Sequence, residues 1–148
     1  MTRKKRNKNL GYAGTYERKR KYSIEEVWGL WVDSHAVYEQ TGEWPRISLD
    51  DGITLTMKSD RYDNFFINGT NCVACGIKGE YFWLETFKKG KDRNNMWHFN
   101  LYGTDADGNE MMLTKDYIVP KSRGGRNYIG NYRTMCERCN HNKAAGVQ

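Results

Sequence analysis

A chain of 148 residues can form one compact domain with a tail and is too short for two domains of ordinary size. Its net charge of +6 is unevenly placed: residues 1–21 hold nine Lys and Arg against one acid, residues 22–109 eight against fourteen, and residues 110–148 seven against three. Two basic ends around an acidic middle predict a polyanionic partner, with a tail that only aids solubility as the alternative for residues 1–21.

The sequence contains no recognisable membrane or secretory segment. No window approaches the roughly 20 apolar residues of a membrane-spanning helix, and the basic start runs into Gly11–Gly14 rather than into an apolar segment. We therefore expect a cytoplasmic protein without a membrane partner. Because thiols stay reduced in the cytoplasm, its cysteine pairs are expected to bind metal rather than to form disulfides.

A basic arm and a helical part are predicted at the start of the chain. Residues 1–21 combine low hydrophobicity with dense positive charge, which predicts an arm that is disordered or loosely docked. Within residues 22–70, the capping-box sequence Ser23–Glu26 predicts the start of a helix. A strand over residues 53–57 and a short helix over residues 59–68 follow. The sequence indicates no role for this helical part.

Strands are predicted in the middle of the chain. Residues 81–87 have a strand-like composition, and residues 97–102 and 110–114 are predicted to form a β-hairpin. The connecting segment, Asp105–Asn109, has an Asp-x-Asp-Gly sequence but lacks the later ligands of a calcium-binding loop. It is therefore interpreted as a turn.

The four cysteines form two Cys-x-x-Cys pairs, Cys72 with Cys75 and Cys136 with Cys139. A two-residue gap lets both sulfur atoms of a pair reach one ion, and two pairs complete the tetrahedral, closed site of a structural Zn²⁺ ion. A thioredoxin-like redox pair is the rival interpretation, but it requires one pair and a βαβ context that neither pair has. The sequence therefore predicts a structural zinc site.

The C-terminal segment has an ordered series of motifs. It contains a strand ending in Asp-Tyr-Ile-Val-Pro (116–120), a basic loop with a Gly-Gly step (121–126), Asn131, a second strand (132–135) and a helix with Asn140 and Lys143. This order resembles the HNH endonuclease family, in particular its zinc-containing branch, which is common as free-standing phage and bacterial genes. The family pattern runs Cys-x-x-Cys, Asp-His-Ile-x-Pro, Ser and Gly-Gly, Asn, and Cys-x-x-Cys-(His/Asn)-x-x-Lys. The match covers residues 72–146.

The resemblance implies an α+β fold. Residues 71–148 would form the nuclease domain, with a ββα-metal motif and the Cys₄ zinc site, preceded by helices and the basic arm. It further implies an enzyme that hydrolyses phosphodiester bonds of DNA, expected to be double-stranded, in a bacterium or a phage-infected host cell. One alternative is a catalytically inactive HNH-fold protein with a DNA-binding or regulatory role. A more distant alternative is an unrelated zinc-ribbon protein.

The resemblance also assigns roles to individual residues. Asp116 and Asn140 match the two protein ligands of the catalytic ion, and their oxygen atoms suit Mg²⁺ or Mn²⁺ better than zinc. Asn131 matches the asparagine that orients the general base. Five basic residues are expected to contact DNA phosphates: Lys121, Arg123, Arg126, Arg138 and Lys143.

Tyr117 departs from the family pattern, which has its general base, a histidine, directly after the aspartate. A phenol has a pKa of about 10 and an imidazole one of about 6.5, so tyrosine is a poor proton acceptor at neutral pH. Three interpretations stay open: a tuned base or phosphate-positioning residue, a weakened fold kept for binding nucleic acid, or an inactivated nuclease. His98 and His141 are expected to be structural or exposed.

The sequence does not specify three further properties: the DNA sequence recognised, whether one or both strands are cut, and the oligomeric state.

Overall fold

The computed structural model describes residues 16–88 and 96–144. Its seven strands and three α-helices are, in chain order, β1 (Tyr16–Ser23), α1 (Ile24–Thr41), β2 (Ile47–Ser48), β3 (Thr54–Leu55), α2 (Asp60–Asn68), β4 (Tyr81–Phe87), β5 (Trp97–Thr104), β6 (Glu110–Tyr117), β7 (Tyr132–Cys136) and α3 (Glu137–Ala144). Short 3₁₀ turns lie at Asp50–Gly52, Lys121–Arg123 and Ile129–Asn131. None of the helices in the described part of the chain has the length and apolar character needed to cross a membrane.

The main sheet has five antiparallel strands in the order β1-β4-β5-β6-β7, and β2 and β3 form a separate two-stranded ribbon. The predicted mixture of helices and strands is therefore confirmed. The finer prediction of a ββα-metal core is not confirmed by this topology, because β6 and β7 belong to a five-stranded sheet rather than to a separate hairpin.

Several local predictions are confirmed by the hydrogen bonds at element ends. The Ser23 hydroxyl accepts from the N–H of Glu26, and the Glu26 carboxylate accepts from the N–H of Ser23, both at 3.0 Å, so that a capping box starts α1. The helix ends at Gly42, whose φ of 76° is left-handed. In the predicted hairpin, Leu101 of β5 lies opposite Leu113 of β6.

One face of the main sheet packs against α1 and α2 and forms the hydrophobic core. Phe82, Phe99 and Leu113 are fully buried on this face, and Phe65 of α2 lies edge-on to Phe82 with ring centroids 6.2 Å apart. Burying a side chain of this size stabilises the fold by about 1.5–3 kcal/mol. Val27 of α1 belongs to the same core, so residues on both sides of the predicted boundary at 70–71 share it.

The structure differs from the prediction of a disordered arm over residues 1–21. Residues 16–21 belong to β1, which pairs with β4. The physical reason is that their charge has partners: the Arg18 guanidinium donates to the buried Glu85 carboxylate at 2.8 Å and lies over the ring of Trp83 at 4.7 Å. Residues 1–15 lie outside the described residues.

The main sheet opens between β5 and β6, and we call this opening the sheet gap. The two strands pair only over Leu101–Thr104 and Glu110–Leu113. Beyond that, β5 pairs with β4 alone and β6 with β7 alone. The α2 side chains partly compensate for the missing strand pairing, because the Phe99 N–H donates to the Tyr62 hydroxyl at 2.9 Å and Arg61 donates to the Phe99 carbonyl at 3.2 Å.

Candidate metal and nucleic-acid site

The four cysteines come together between a tight loop and the start of α3. In the loop, the Gly76 N–H donates to the Cys72 carbonyl at 2.9 Å, and Gly76 adopts a φ of 83° that favours glycine. The second pair lies where β7 ends, and the Cys139 N–H approaches the Cys136 Sγ at 3.5 Å. All four Sγ atoms lie within 4.8 Å of one another. The predicted clustering of the two pairs is therefore confirmed.

This cluster fits a tetrahedral metal ion. Sulfur atoms about 2.3 Å from a central Zn²⁺ ion are about 3.8 Å apart along the tetrahedron edge, and the Sγ atoms of Cys75 and Cys136 are 3.7 Å apart. Burial and the neighbouring sulfur atoms raise the pKa of the Cys139 thiol to about 11, whereas backbone N–H groups outweigh burial and lower the pKa of Cys72 to about 7. Ionisation of one thiol thus disfavours ionisation of the next. A divalent cation bound among the four sulfur atoms would offset this negative charge.

Asp116 lies near the end of β6 and is nearly buried. Arg133, opposite it on β7, donates from Nε to Oδ2 at 2.8 Å. Lys143 of α3 donates from Nζ to Oδ2 at 3.0 Å, to Oδ1 at 3.2 Å and to the Tyr117 carbonyl at 2.9 Å. Two cations therefore neutralise the carboxylate, and α3 is fixed to the end of β6 through it.

Asn140 lies on the same face of β6 as Asp116. Its Nδ2 donates to the hydroxyl of Thr114, two residues before Asp116, at 3.1 Å. Because the amide nitrogen is used in this way, Oδ1 is the atom left for a cation. The two predicted ligands line a single cleft of about 670 Å³ together with Lys143, Tyr117, Lys121 and Arg123. An amide and a carboxylate oxygen in an open cleft fit Mg²⁺ or Mn²⁺.

The Tyr117 side chain points to the opposite face of β6 from Asp116, because successive strand residues alternate. Its ring lies edge-on to that of Tyr132 on β7, with centroids 5.3 Å apart. The phenol donates to Oδ1 of Asn127 at 2.7 Å. The predicted general base therefore contacts the basic loop, while the Asp116 carboxylate contacts α3 and β7.

Two lysines set the acidity of this phenol. The slight desolvation of Tyr117 acts to raise its pKa, but the hydrogen bond and charge of Lys115, with the charge of Lys121, outweigh it and hold the pKa below its ordinary value. The Lys115 Nζ lies 3.4 Å from the phenol oxygen, and the Lys121 Nζ lies 5.5 Å from the ring centroid. Tyr117 is thus easier to ionise than an isolated tyrosine.

Asn131 holds the basic loop in shape. Its buried side chain accepts from the N–H of Val119 at 2.8 Å and donates to the carbonyls of Val119 and Arg126 at 3.1 and 3.0 Å. A Cβ at Gly125 would lie 1.7 Å from the Val119 carbonyl oxygen, so this close approach requires glycine. The residue in hydrogen-bond contact with Tyr117 is Asn127 rather than Asn131.

The predicted phosphate-binding residues fall into two groups. Lys121, Arg123 and Arg126 are exposed on the loop and form no ion pair with any residue that the structure describes. Arg138 and Lys143 differ, because the Arg138 guanidinium pairs with Asp105 at 2.5 Å and Lys143 pairs with Asp116. Their charges are already partly neutralised within the protein.

Four residues around the cleft have no role in the motif and were missed by sequence reasoning: Thr114, Lys115, Asn127 and Arg133. Arg133 could have been found from the hairpin register, which places it opposite Asp116. The histidines follow the prediction of structural or exposed positions: the His98 ring lies against that of Phe87 with centroids 6.0 Å apart, and His141 is exposed on α3.

Residues 105–148 match the family model described as HNH endonuclease. The matched segment begins at the β5–β6 turn and includes β6, β7, α3 and the second cysteine pair, but it covers less than a third of the chain. No curated protein and no solved structure matches the chain. The match shows similarity to an HNH endonuclease domain over the part of the chain that forms the cleft, and this similarity suggests nuclease activity on DNA.

Proposed function

We propose that this protein is an HNH-type endonuclease that hydrolyses DNA phosphodiester bonds with one divalent ion, Mg²⁺ or Mn²⁺. The observation that supports this most is the cleft, which Asp116 and Asn140 both line beside the exposed cations of the loop. The cleft lies within the segment that matches the HNH endonuclease family. We further propose that the Cys₄ cluster holds a structural Zn²⁺, as in the free-standing phage and bacterial branch, and that the protein acts in the cytoplasm on double-stranded DNA.

The side chains of the cleft would divide the work as follows. The Asp116 and Asn140 oxygens would hold the ion, which when bound polarises the scissile phosphate and stabilises the leaving oxygen. Lys121 and Arg123 would bind the neighbouring phosphates. Asn131, through the loop backbone, fixes where those two cations lie.

Lys143 occupies part of the position that a cation would take. Its ammonium group contacts both oxygens of Asp116 at 3.0 and 3.2 Å. Ion binding at Oδ1 therefore requires Lys143 to withdraw, which lowers the affinity of the protein for the ion. The same withdrawal would release a positive charge toward the phosphate in the cleft.

A catalytically inactive HNH-fold DNA-binding or regulatory protein is the second candidate. It is favoured by two observations: Tyr117 replaces the family's general base and contacts the loop, and Asp116 is neutralised by Arg133 and Lys143. Losing a general base typically slows an enzyme by about 100- to 10,000-fold. We therefore expect weak cleavage by this chain.

Supercoiled plasmid incubated with the protein and Mg²⁺ or Mn²⁺, and followed on a gel, tests the proposal. Metal-dependent relaxation that Asp116→Asn abolishes and Glu39→Gln leaves intact would support a nuclease, since Glu39 is an exposed acid on α1 that does not line the cleft. Retained DNA binding without cleavage, in every metal and at high protein concentration, would favour the second candidate.

A further inference from the structure

Two neighbouring recesses lie beside the sheet gap. One, of about 510 Å³, lies between the β2–β3 ribbon, the start of α2 and the start of β5. The other, of about 410 Å³, lies in the gap between β5 and β6. Arg61 and His98 line both recesses, so the two recesses are neighbours, with the Arg61 side chain between them. We call the two recesses together the sheet groove. Its lining includes the basic and aromatic residues Arg46, Lys58, Arg61, Trp97, His98 and Lys115.

The sheet groove is basic in the most acidic part of the chain. Residues 22–109 hold fourteen acids and eight basic residues, yet three of those eight, Arg46, Lys58 and Arg61, line the groove. Neither recess has an Asp or Glu among the lining residues that the structure describes. Asp60 is the nearest counter-charge to the remaining cation, 4.0 Å from the Lys115 Nζ. This separation of charge indicates a polyanionic ligand.

The groove leads to the cleft. Thr114 lines the groove and accepts a hydrogen bond from Asn140, which lines the cleft. Lys115 lines the groove and donates to the Tyr117 phenol. A polyanion bound in the cleft therefore lies next to residues that line the groove.

We propose that the sheet groove binds a single-stranded segment of nucleic acid that leads away from the cleft. Its cations would contact the phosphates, and the partly buried Trp97 ring, which lines the same recess, offers a surface on which a base can stack. The recesses are concave, which suits a flexible single strand better than the convex surface of a duplex. This inference rests on the proposed function only in taking the cleft as the place where the strand is cut. Binding of a single strand in the groove does not require cleavage.

Arg46→Gln/Lys58→Gln tests the groove, because both side chains are exposed and can be changed without disturbing the core. Arg20→Gln/Lys78→Gln is the matched control, which removes one arginine and one lysine from exposed positions outside both recesses. Binding is measured by fluorescence anisotropy, in EDTA, with a labelled single strand and with a blunt duplex of the same sequence. EDTA prevents cleavage of either probe. Thermal melting checks that both variants remain folded.

Each phosphate contact on a single strand contributes about 0.7 to the slope of log K against log salt concentration. Loss of two contacts should lower that slope by about 1.4 and weaken single-strand binding about 25-fold in 0.1 M salt. The blunt duplex and the control variant should bind as the parent does. Unchanged single-strand binding by the groove variant, or an equal loss for the duplex or in the control variant, would overturn the proposal.

The groove and the nuclease can fail separately. If no form of the protein cleaves plasmid but the groove variant selectively loses single-strand binding, the groove stands and the nuclease proposal falls. If the parent cleaves plasmid and the groove variant binds single strands as the parent does, the nuclease stands and the groove falls.

Discussion

Replacing Tyr117 by histidine asks whether the missing general base is the only defect of the cleft. The scaffold that would support a base is present, since Asp116, Asn140 and the loop held by Asn131 are all in place. The Asn127 Oδ1 that accepts from the phenol can accept from one imidazole N–H, which leaves the other ring nitrogen as a proton acceptor. Lys115 and Lys121, which lower the pKa of the phenol, would also disfavour the imidazolium form and keep the ring neutral.

The expected increase in cleavage rate follows from the rate enhancement that a general base typically provides. If the base is the sole defect, Tyr117→His should speed metal-dependent cleavage by about 100- to 10,000-fold, or about 3–5 kcal/mol of transition-state stabilisation. A base works in its deprotonated form, so the rate should rise with pH up to the pKa of the base and level off above it. The variant should therefore level off at a pH where any cleavage by the parent is still rising.

Plasmid relaxation between pH 6 and 9, with DNA binding measured in parallel, checks this prediction. Tyr128→His is the matched control, because it adds an imidazole to an exposed position of the same loop that does not line the cleft. Tyr117→Phe shows whether the phenol itself contributes. If Tyr117→His folds and binds DNA but does not cleave it, position 117 is not where the base acts, and its orientation away from Asp116 becomes the explanation.

Three further predictions concern the metals and the arm. Metal analysis of dialysed protein should give about one zinc per chain, and Cys136→Ser should lose both the metal and the cooperative thermal transition; an unchanged melt would contradict a structural role. Lys143→Met should tighten Mn²⁺ binding in calorimetry, because it removes the cation that competes for Asp116; weaker binding would show that Lys143 supports the site instead. Deleting residues 1–15, which hold five Lys and Arg, should reduce the salt slope of duplex binding by up to about 4.5, whereas an unchanged slope would show that the arm does not contact DNA.

The elements that could be predicted from sequence are those whose signals are local. The capping box of Ser23 and Glu26, the hairpin around Asp105–Asn109 and the two cysteine pairs each need only a few neighbouring residues. The contacts within the cleft that depend on how the elements pack could not be predicted in the same way. That Lys143 pairs with Asp116 depends on how α3 lies against β6, which no local pattern specifies.

Two features of the structure could not be predicted from local sequence for the same physical reason. The dense charge of residues 16–21 resembles that of an arm, but Glu85, which is distant in sequence and buried in the sheet, gives Arg18 a partner. The motif assigns a role to Asn131 but does not specify its hydrogen bonds to the backbone of Val119 and Arg126. In both cases the contact depends on how the chain folds and not on a local sequence pattern.

Tyr16, where the described structure begins, lines the recess in the sheet gap. The five cations of residues 1–15 are therefore tethered to the wall of the sheet groove, and fifteen residues can reach at most about 50 Å from that point. Because these cations are joined covalently to the groove wall, their encounter with a bound strand would be intramolecular. Positive charge near the groove is thus supplied from two sources, the basic residues that line it and the five Lys and Arg that precede Tyr16 in the sequence.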